Sequence, residues 1–182
     1  MKRKYFDIVI KADKEYQAQL MAELMRQLHG ILSGLGEHAP NIALSFPYHQ
    51  HGLRQDQTQM GHIVRVVGDQ LSVLQIHRHG AIGYLAESGF FRIKEIEDVP
   101  DDAVEVRFVR DRLKEKYAKV RKLYPDVKHE TDNICYPYVD LRSQSNKKNF
   151  KLYVRMEKAE SRVDGQYSTY GLSKEGSTVP FF

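Results

Sequence analysis

The sequence predicts an α+β protein: a ferredoxin-like β-α-β-β-α-β unit over residues 1–98, then a smaller basic α+β unit over residues 99–182. Three observations carry this. Strand-like alternation and helix-like periodicity follow one another in that order through the first half. A Pro- and acid-rich stretch, EIEDVPDDA, then interrupts the pattern. Beyond it the charge balance changes: residues 1–98 hold 11 Lys+Arg and 11 Asp+Glu, while residues 99–182 hold 17 and 13, so the whole net charge of +4 lies in the second half.

The elements follow in chain order. Tyr5–Ile10 alternates as a strand, and Glu15 to about Leu35 places Leu24, Leu28, Ile31 and Leu35 on one helical stripe. Asn41–Phe46 and His62–Val67 read as strands, Asp69 to about His77 as a short helix, and Phe90–Ile96 as the strand that closes the unit. After the linker come a strand at Val104–Val109 and a helix at about Asp111–Tyr124. A hairpin of VDLRS and FKLYVR and a last strand near Gln166–Leu172, holding YGLSK, complete the chain. At about 100° per residue, Leu113, Tyr117, Val120 and Tyr124 share the packing stripe of the second helix; Arg112, Lys116, Lys119 and Lys122 lie beside it, and Glu115 can pair Lys119.

Composition narrows the function classes. A hydrophobic content of 41% over 182 residues supports a packed core rather than disorder. The opening MKRKYFDIVIKADKE has an apolar run too short for export or a bilayer span, so the chain reads as cytosolic with no membrane partner. Cys135 is the single cysteine, which excludes an internal disulfide and a cysteine-based zinc cage. P-loop, GxGxxG, HExxH and GxSxG patterns are absent. His49-Gln50-His51 and His77-Arg78-His79 have metal-ligand spacing, but with no Cys or carboxylate partner they read as surface histidines, and no metal or other cofactor is expected.

Charge gives the positive indication. Arg107–Lys122 contains eight cations against Asp111 and Glu115, and Arg142–Arg155 contains five against no acid. Two such clusters suit a polyanionic partner. His29, beside Leu28 at the border of the apolar stripe, is either an edge histidine half-covered by core or a general base, and position alone leaves both readings open.

The motifs LRSQSNKKNFKLYVR and YGLSKEGSTVPFF, with AQLMAELMRQLHGIL, IALSFP and the basic helix, resemble the type I-F CRISPR RNA-processing endoribonucleases. The resemblance covers most of the chain and is strongest after Leu141. It implies a metal-independent endoribonuclease of the bacterial cytoplasm, which binds the repeat hairpin of precursor CRISPR RNA and stays with the mature product in a type I-F surveillance complex.

Residue by residue, the resemblance implies that His29 is the catalytic histidine. Ser143 would hold the nucleophilic ribose 2′-hydroxyl, Tyr170 would orient the histidine, and Ser145 would be the second active-site serine. Phe150 would stack on the base pair closing the stem. Arg112, Lys116 and Lys119 would follow the major-groove phosphates, Arg107 or its neighbour Arg110 would read a guanine, and Arg142 and Gln144 would complete the RNA-binding set. Two departures stand out: the helix is lysine-rich where the family favours arginine, and Val109 stands where the family places a second, glutamine base reader. A non-catalytic RNA-hairpin-binding module is the alternative that shares the charge and aromatics without needing His29, Ser143 and Tyr170 together.

Overall fold

The computed structural model describes residues 2–36, 41–116, 134–143 and 146–182. It is a mixed α+β structure with two antiparallel sheets. In the first, β1 (Lys4–Ile10) buries Phe6, Ile8 and Ile10 at period two. The strand lies between β3 (Ile63–Gly68) and β4 (Phe91–Ile93), with β2 (Ala43–Ser45) beyond β3, giving the order β2-β3-β1-β4. The register runs from Lys4 opposite Gly68 to Val9 opposite Ile63. Helix α1 (Lys14–Gly34) covers the sheet with Met21, Leu24, Met25, Leu28, Ile31 and Leu32, the three- and four-residue spacing of one helical face.

Between β3 and β4 the sequence predicts one helix, and the structure has two: α2 (Gln70–His77) and α3 (Gly80–Glu87). Capping explains the break. Asp69 accepts from the Leu71 and Ser72 N–H groups at the start of α2, and His79 Nδ1 accepts from the Ala81 N–H at the start of α3. The expected linker is also part of the fold. Glu97–Asp98 forms β5 against Tyr5 and Lys4 of β1, and Val99 is buried with its N–H on the Arg3 carbonyl.

The second sheet has the order β7 (Tyr138–Arg142), β8 (Asn149–Lys158), β6 (Val104–Arg110), β9 (Val179–Phe181). The strand expected near Gln166–Leu172 is replaced by a turn. Ser168 Oγ accepts from the Tyr170 and Leu172 N–H groups, and Gly171 N donates to the Ser168 carbonyl at 2.7 Å. Local hydroxyl–backbone bonding and a left-handed Gly171, φ +66°, override the alternating pattern, so β9 takes the edge of β6 instead.

The two sheets share one buried hydrophobic cluster. Phe46 meets Phe108 edge-on at 5.1 Å, Leu44 N donates to the Gly171 carbonyl at 2.8 Å, and Ser45 Oγ donates to the Pro180 carbonyl at 3.2 Å. Arg65, buried on Asp7, also donates to the Phe182 carbonyl and stacks beneath its ring. Helix α1 packs against β7, which brings its outer face to the hairpin. Among the described residues no helix is long and apolar enough to cross a membrane.

Candidate active site

His29 projects from the rim of the buried stripe of α1 and is half-buried. Its Nδ1 lies 3.0 Å from the carbonyl oxygen of Thr169. A carbonyl only accepts, so Nδ1 carries the proton and donates it there; the lone pair of the neutral ring is then on Nε2. Ser33 Oγ sits 3.4 Å from the same Nδ1, one turn along the helix. The Tyr170 ring stacks flat on the imidazole, 4.0 Å between centroids and 7° from parallel. The turn built by Ser168 and Gly171 holds both partners. A Cβ at Gly171 would come within 2.4 Å of Leu44 Cγ, so this close approach needs glycine.

Arg110 ends β6 on the same face as the buried Val106 and Phe108. Its Nε and Nη2 donate to the two Glu115 carboxylate oxygens at 2.7 and 2.9 Å. The guanidinium carbon lies 5.4 Å from the Phe150 ring centre and 5.9 Å from that of Tyr170, within cation–π range. Phe150 meets Tyr170 edge-on at 6.5 Å. Burial pushes the Tyr170 phenol up, with Arg110 acting in the opposite direction. The Glu115 hydrogen bonds hold the Arg110 guanidinium above its ordinary value.

The hairpin supplies the facing wall. Ser143 N donates to the Lys148 carbonyl, Lys147 N donates to the Ser143 carbonyl, and Asn146 N donates to Ser143 Oγ, with Lys147 at φ 58°. Arg142 Nε is fixed on the Lys147 carbonyl at 3.1 Å. A cavity of about 570 Å³ opens between these walls, and His29, Tyr170, Ser143, Phe150, Arg110 and Arg142 all line it. The polar groups converging there are an imidazole, a phenol, a hydroxyl, the carboxamides of Asn146 and Asn149 and cations, with Glu115 the lone carboxylate among the described lining residues.

Residues 5–182 match the profile of a family described as CRISPR-associated protein (Cas_Csy4). The chain belongs to this family. It is also 27% identical, over 98% of both chains, to a protein of Pseudomonas aeruginosa (strain UCBPP-PA14) named CRISPR-associated endonuclease Cas6/Csy4.

For a Csy4-family chain, the remaining expected site residues fall in several places. Arg107, on the opposite face of β6 from Arg110, donates to the Gly176 carbonyl at 2.9 Å and lies 4.0 Å from Glu157, away from the cavity. Arg112 and Lys116 are exposed on a helical turn over residues 112–116, whose Lys114 N–H is capped by Asp111. Leu113, expected in the packed stripe, is 64% exposed, and Glu115 pairs with Arg110; the expected pairing of Glu115 with Lys119 falls outside the described residues. Lys119, Tyr117, Val120, Tyr124, Gln144 and Ser145 lie outside the described residues.

The histidine pairs have structural partners. His49 is buried with Nε2 donating to the Val154 carbonyl, His77 Nε2 bonds the Lys94 carbonyl, and His79 caps α3. The reading of both pairs as surface histidines fails at His49, which the core between the sheets encloses. Sequence reading missed Arg26, Glu115, Asn146, Lys148 and Asn149 as cavity-lining residues. Arg26 had a signal, since three residues on a helix separate neighbours on one face. The Thr169 carbonyl had none, because any residue carries one.

Proposed function

We propose that this chain is a sequence- and structure-specific endoribonuclease that binds the repeat hairpin of precursor CRISPR RNA and cuts it at the 3′ base of the stem. The observation that carries the reading is the setting of His29 in the cavity wall: Nδ1 lies 3.0 Å from the Thr169 carbonyl and one ring face is covered by Tyr170, so in the neutral ring Nε2 is the nitrogen that can act as base. RNA brings its own nucleophile. His29 takes the proton of the ribose 2′-hydroxyl, Ser143 holds that hydroxyl in line, and the 2′-oxygen attacks the adjacent phosphorus. The bond to the 5′-oxygen breaks, that oxygen takes a proton from water, the proton on His29 neutralises the hydroxide so formed, and the products are a 2′,3′-cyclic phosphate and a 5′-hydroxyl. In this reading the attack needs no metal, because a general base and an aligned nucleophile suffice to form the new P–O bond.

Phe150 stacks on the closing base pair of the stem, while Arg142, Arg112, Lys116 and Lys119 follow phosphates, Gln144 adds a further RNA contact and Ser145 serves as the second active-site serine, as structured RNA is read by shape, backbone and ends. Arg107 keeps its proposed role as guanine reader through N–H groups other than the Nε that holds the Gly176 carbonyl; Arg110 then supports the stacked rings from within the cavity. The β2-β3-β1-β4 order supports a ferredoxin-like plan for residues 1–98, the part that carries His29, with residues 99–182 as the recognition domain. We further propose that the enzyme retains its product, works in the bacterial cytoplasm and joins the other subunits of a type I-F surveillance complex.

Hairpin repeat RNA incubated in excess EDTA tests the reading. Cleavage is expected to persist and to stop when deoxyribose replaces the ribose 5′ of the scissile phosphate. Activity lost in EDTA and restored by Mg²⁺ overturns the mechanism; tight binding without cleavage under any condition favours the non-catalytic hairpin-binding module.

A further inference from the structure

Arg26 lies one helical turn before His29 on α1 and lines the same cavity. Its guanidinium is already oriented. Nε donates to Glu23 Oε2 at 3.0 Å and Nη2 to Glu23 Oε1 at 2.5 Å, while Gln27 Nε2 fixes that carboxylate from the other side at 2.8 Å. Two of the five N–H groups of an arginine are thereby used, and three remain for an anion.

The proposed reaction creates a need on this wall. As the 2′-oxygen bonds to phosphorus, negative charge builds on the non-bridging oxygens, and donors held in advance stabilise it most effectively. The other cations around the cavity are placed for different work. Arg110 is held by both Glu115 oxygens and directed at the Phe150 and Tyr170 rings. Arg142 and Lys148 belong to the hairpin wall with Ser143 and Phe150, where the stem would sit. Arg26 alone among the described lining cations shares the helix of the proposed base.

Resting on the endoribonuclease reading, we infer that Arg26 is a further catalytic residue: its guanidinium contacts a non-bridging oxygen of the scissile phosphate and stabilises the charge that develops there. Glu23 acts through it as a positioning residue. The planar fork matters, since a phosphate accepts two parallel N–H bonds from arginine and only a point charge from lysine.

The test is single-turnover cleavage of hairpin repeat RNA by wild type, Arg26→Ala, Arg26→Lys and a His29→Ala control, on native substrate and on both phosphorothioate diastereomers of the scissile phosphate. The Arg26 side chain is 47% exposed, so both variants are expected to fold, which their melting temperatures check. Arg26→Ala should cleave about 10²-fold more slowly with hairpin affinity within about threefold of wild type. Arg26→Lys should regain about tenfold. Sulfur at the contacted oxygen should slow wild type and leave Arg26→Ala nearly unaffected. A wild-type rate in Arg26→Ala, or a loss that Arg26→Lys does not repair while the sulfur effect persists, overturns the inference and leaves His29-dependent cleavage standing. Absence of cleavage by wild type overturns the functional reading and this inference with it.

Discussion

Glu115 is the one carboxylate among the described residues of a cavity proposed to hold RNA, which makes Glu115→Gln the most informative change. The substitution keeps the shape and removes the charge. Arg110 and Glu115 are 30% and 16% exposed, so the pair is partly shielded from solvent and its two bonds, at 2.7 and 2.9 Å, are stronger than a surface ion pair. Charge-assisted bonds contribute about 1.5–3 kcal/mol each before the desolvation of both ions is offset, so a net loss of about 2 kcal/mol is reasonable. For a chain of this size that lowers Tm by about 4–8 °C. RNA binding should move the other way. Arg110 loses its internal anion and becomes available to a phosphate, so hairpin affinity at low salt should rise, and the slope of log K against log[salt] should steepen by about one counterion. Calorimetry and a salt titration of hairpin binding measure both. If affinity falls together with Tm and the salt slope stays constant, Glu115 holds Arg110 in its binding pose, and the competition argued here is wrong.

Three further outcomes follow from particular contacts. Phe150→Ala should weaken hairpin binding by about 1–3 kcal/mol, the range for base–aromatic stacking, with little change in Tm; a Tm drop with native affinity would make the residue core. Gly171→Ala should reduce cleavage far more than binding, because its Cβ would meet Leu44 at 2.4 Å and displace the turn that carries Thr169 and Tyr170; a variant with unchanged cleavage would show that this turn does not set the base. His49 gives a pH dependence: burial lowers its pKa, with the Val154 bond acting in the opposite direction, so the folded state keeps it neutral while the unfolded chain protonates near about 6.5. Its stabilising effect is full above that value and is lost as pH falls through and below it, so the wild-type Tm should drop more steeply between pH 8 and 5 than that of His49→Gln; parallel curves would refute the assignment.

What was legible in the sequence was what side-chain pattern encodes. The six apolar positions of α1 recur at helical spacing, and Phe6, Ile8 and Ile10 alternate, so the first sheet and its principal helix could be read directly. The hairpin showed itself through VDLRS and FKLYVR, which pair from Tyr138 opposite Tyr153 to Arg142 opposite Asn149. The errors occur where local hydrogen bonding outweighs periodicity. His79 caps a helix over residues to which the sequence pattern assigns no element, and Ser168 ties a turn through residues that alternate like a strand. Leu113 shares the stripe in the sequence and is exposed in the fold, while Glu115 of the same turn pairs with Arg110.

The surroundings of His29 also explain why its position in the sequence alone leaves both readings, edge histidine and general base, open. His29 reaches its deciding partner, the Thr169 carbonyl, across 140 residues of chain, and that partner is backbone. The same turn that presents Thr169 places Tyr170 on the imidazole face, and it is anchored to the first sheet through the Leu44–Gly171 hydrogen bond. The tautomer of His29 therefore depends on the packing of both sheets. Without this turn against β2, the Thr169 carbonyl and the Tyr170 ring would no longer sit beside the imidazole to direct the Nδ1 proton. The proposed chemistry is thus tied to completion of the fold, and Gly171, by letting this turn approach Leu44, bears on how His29 is oriented.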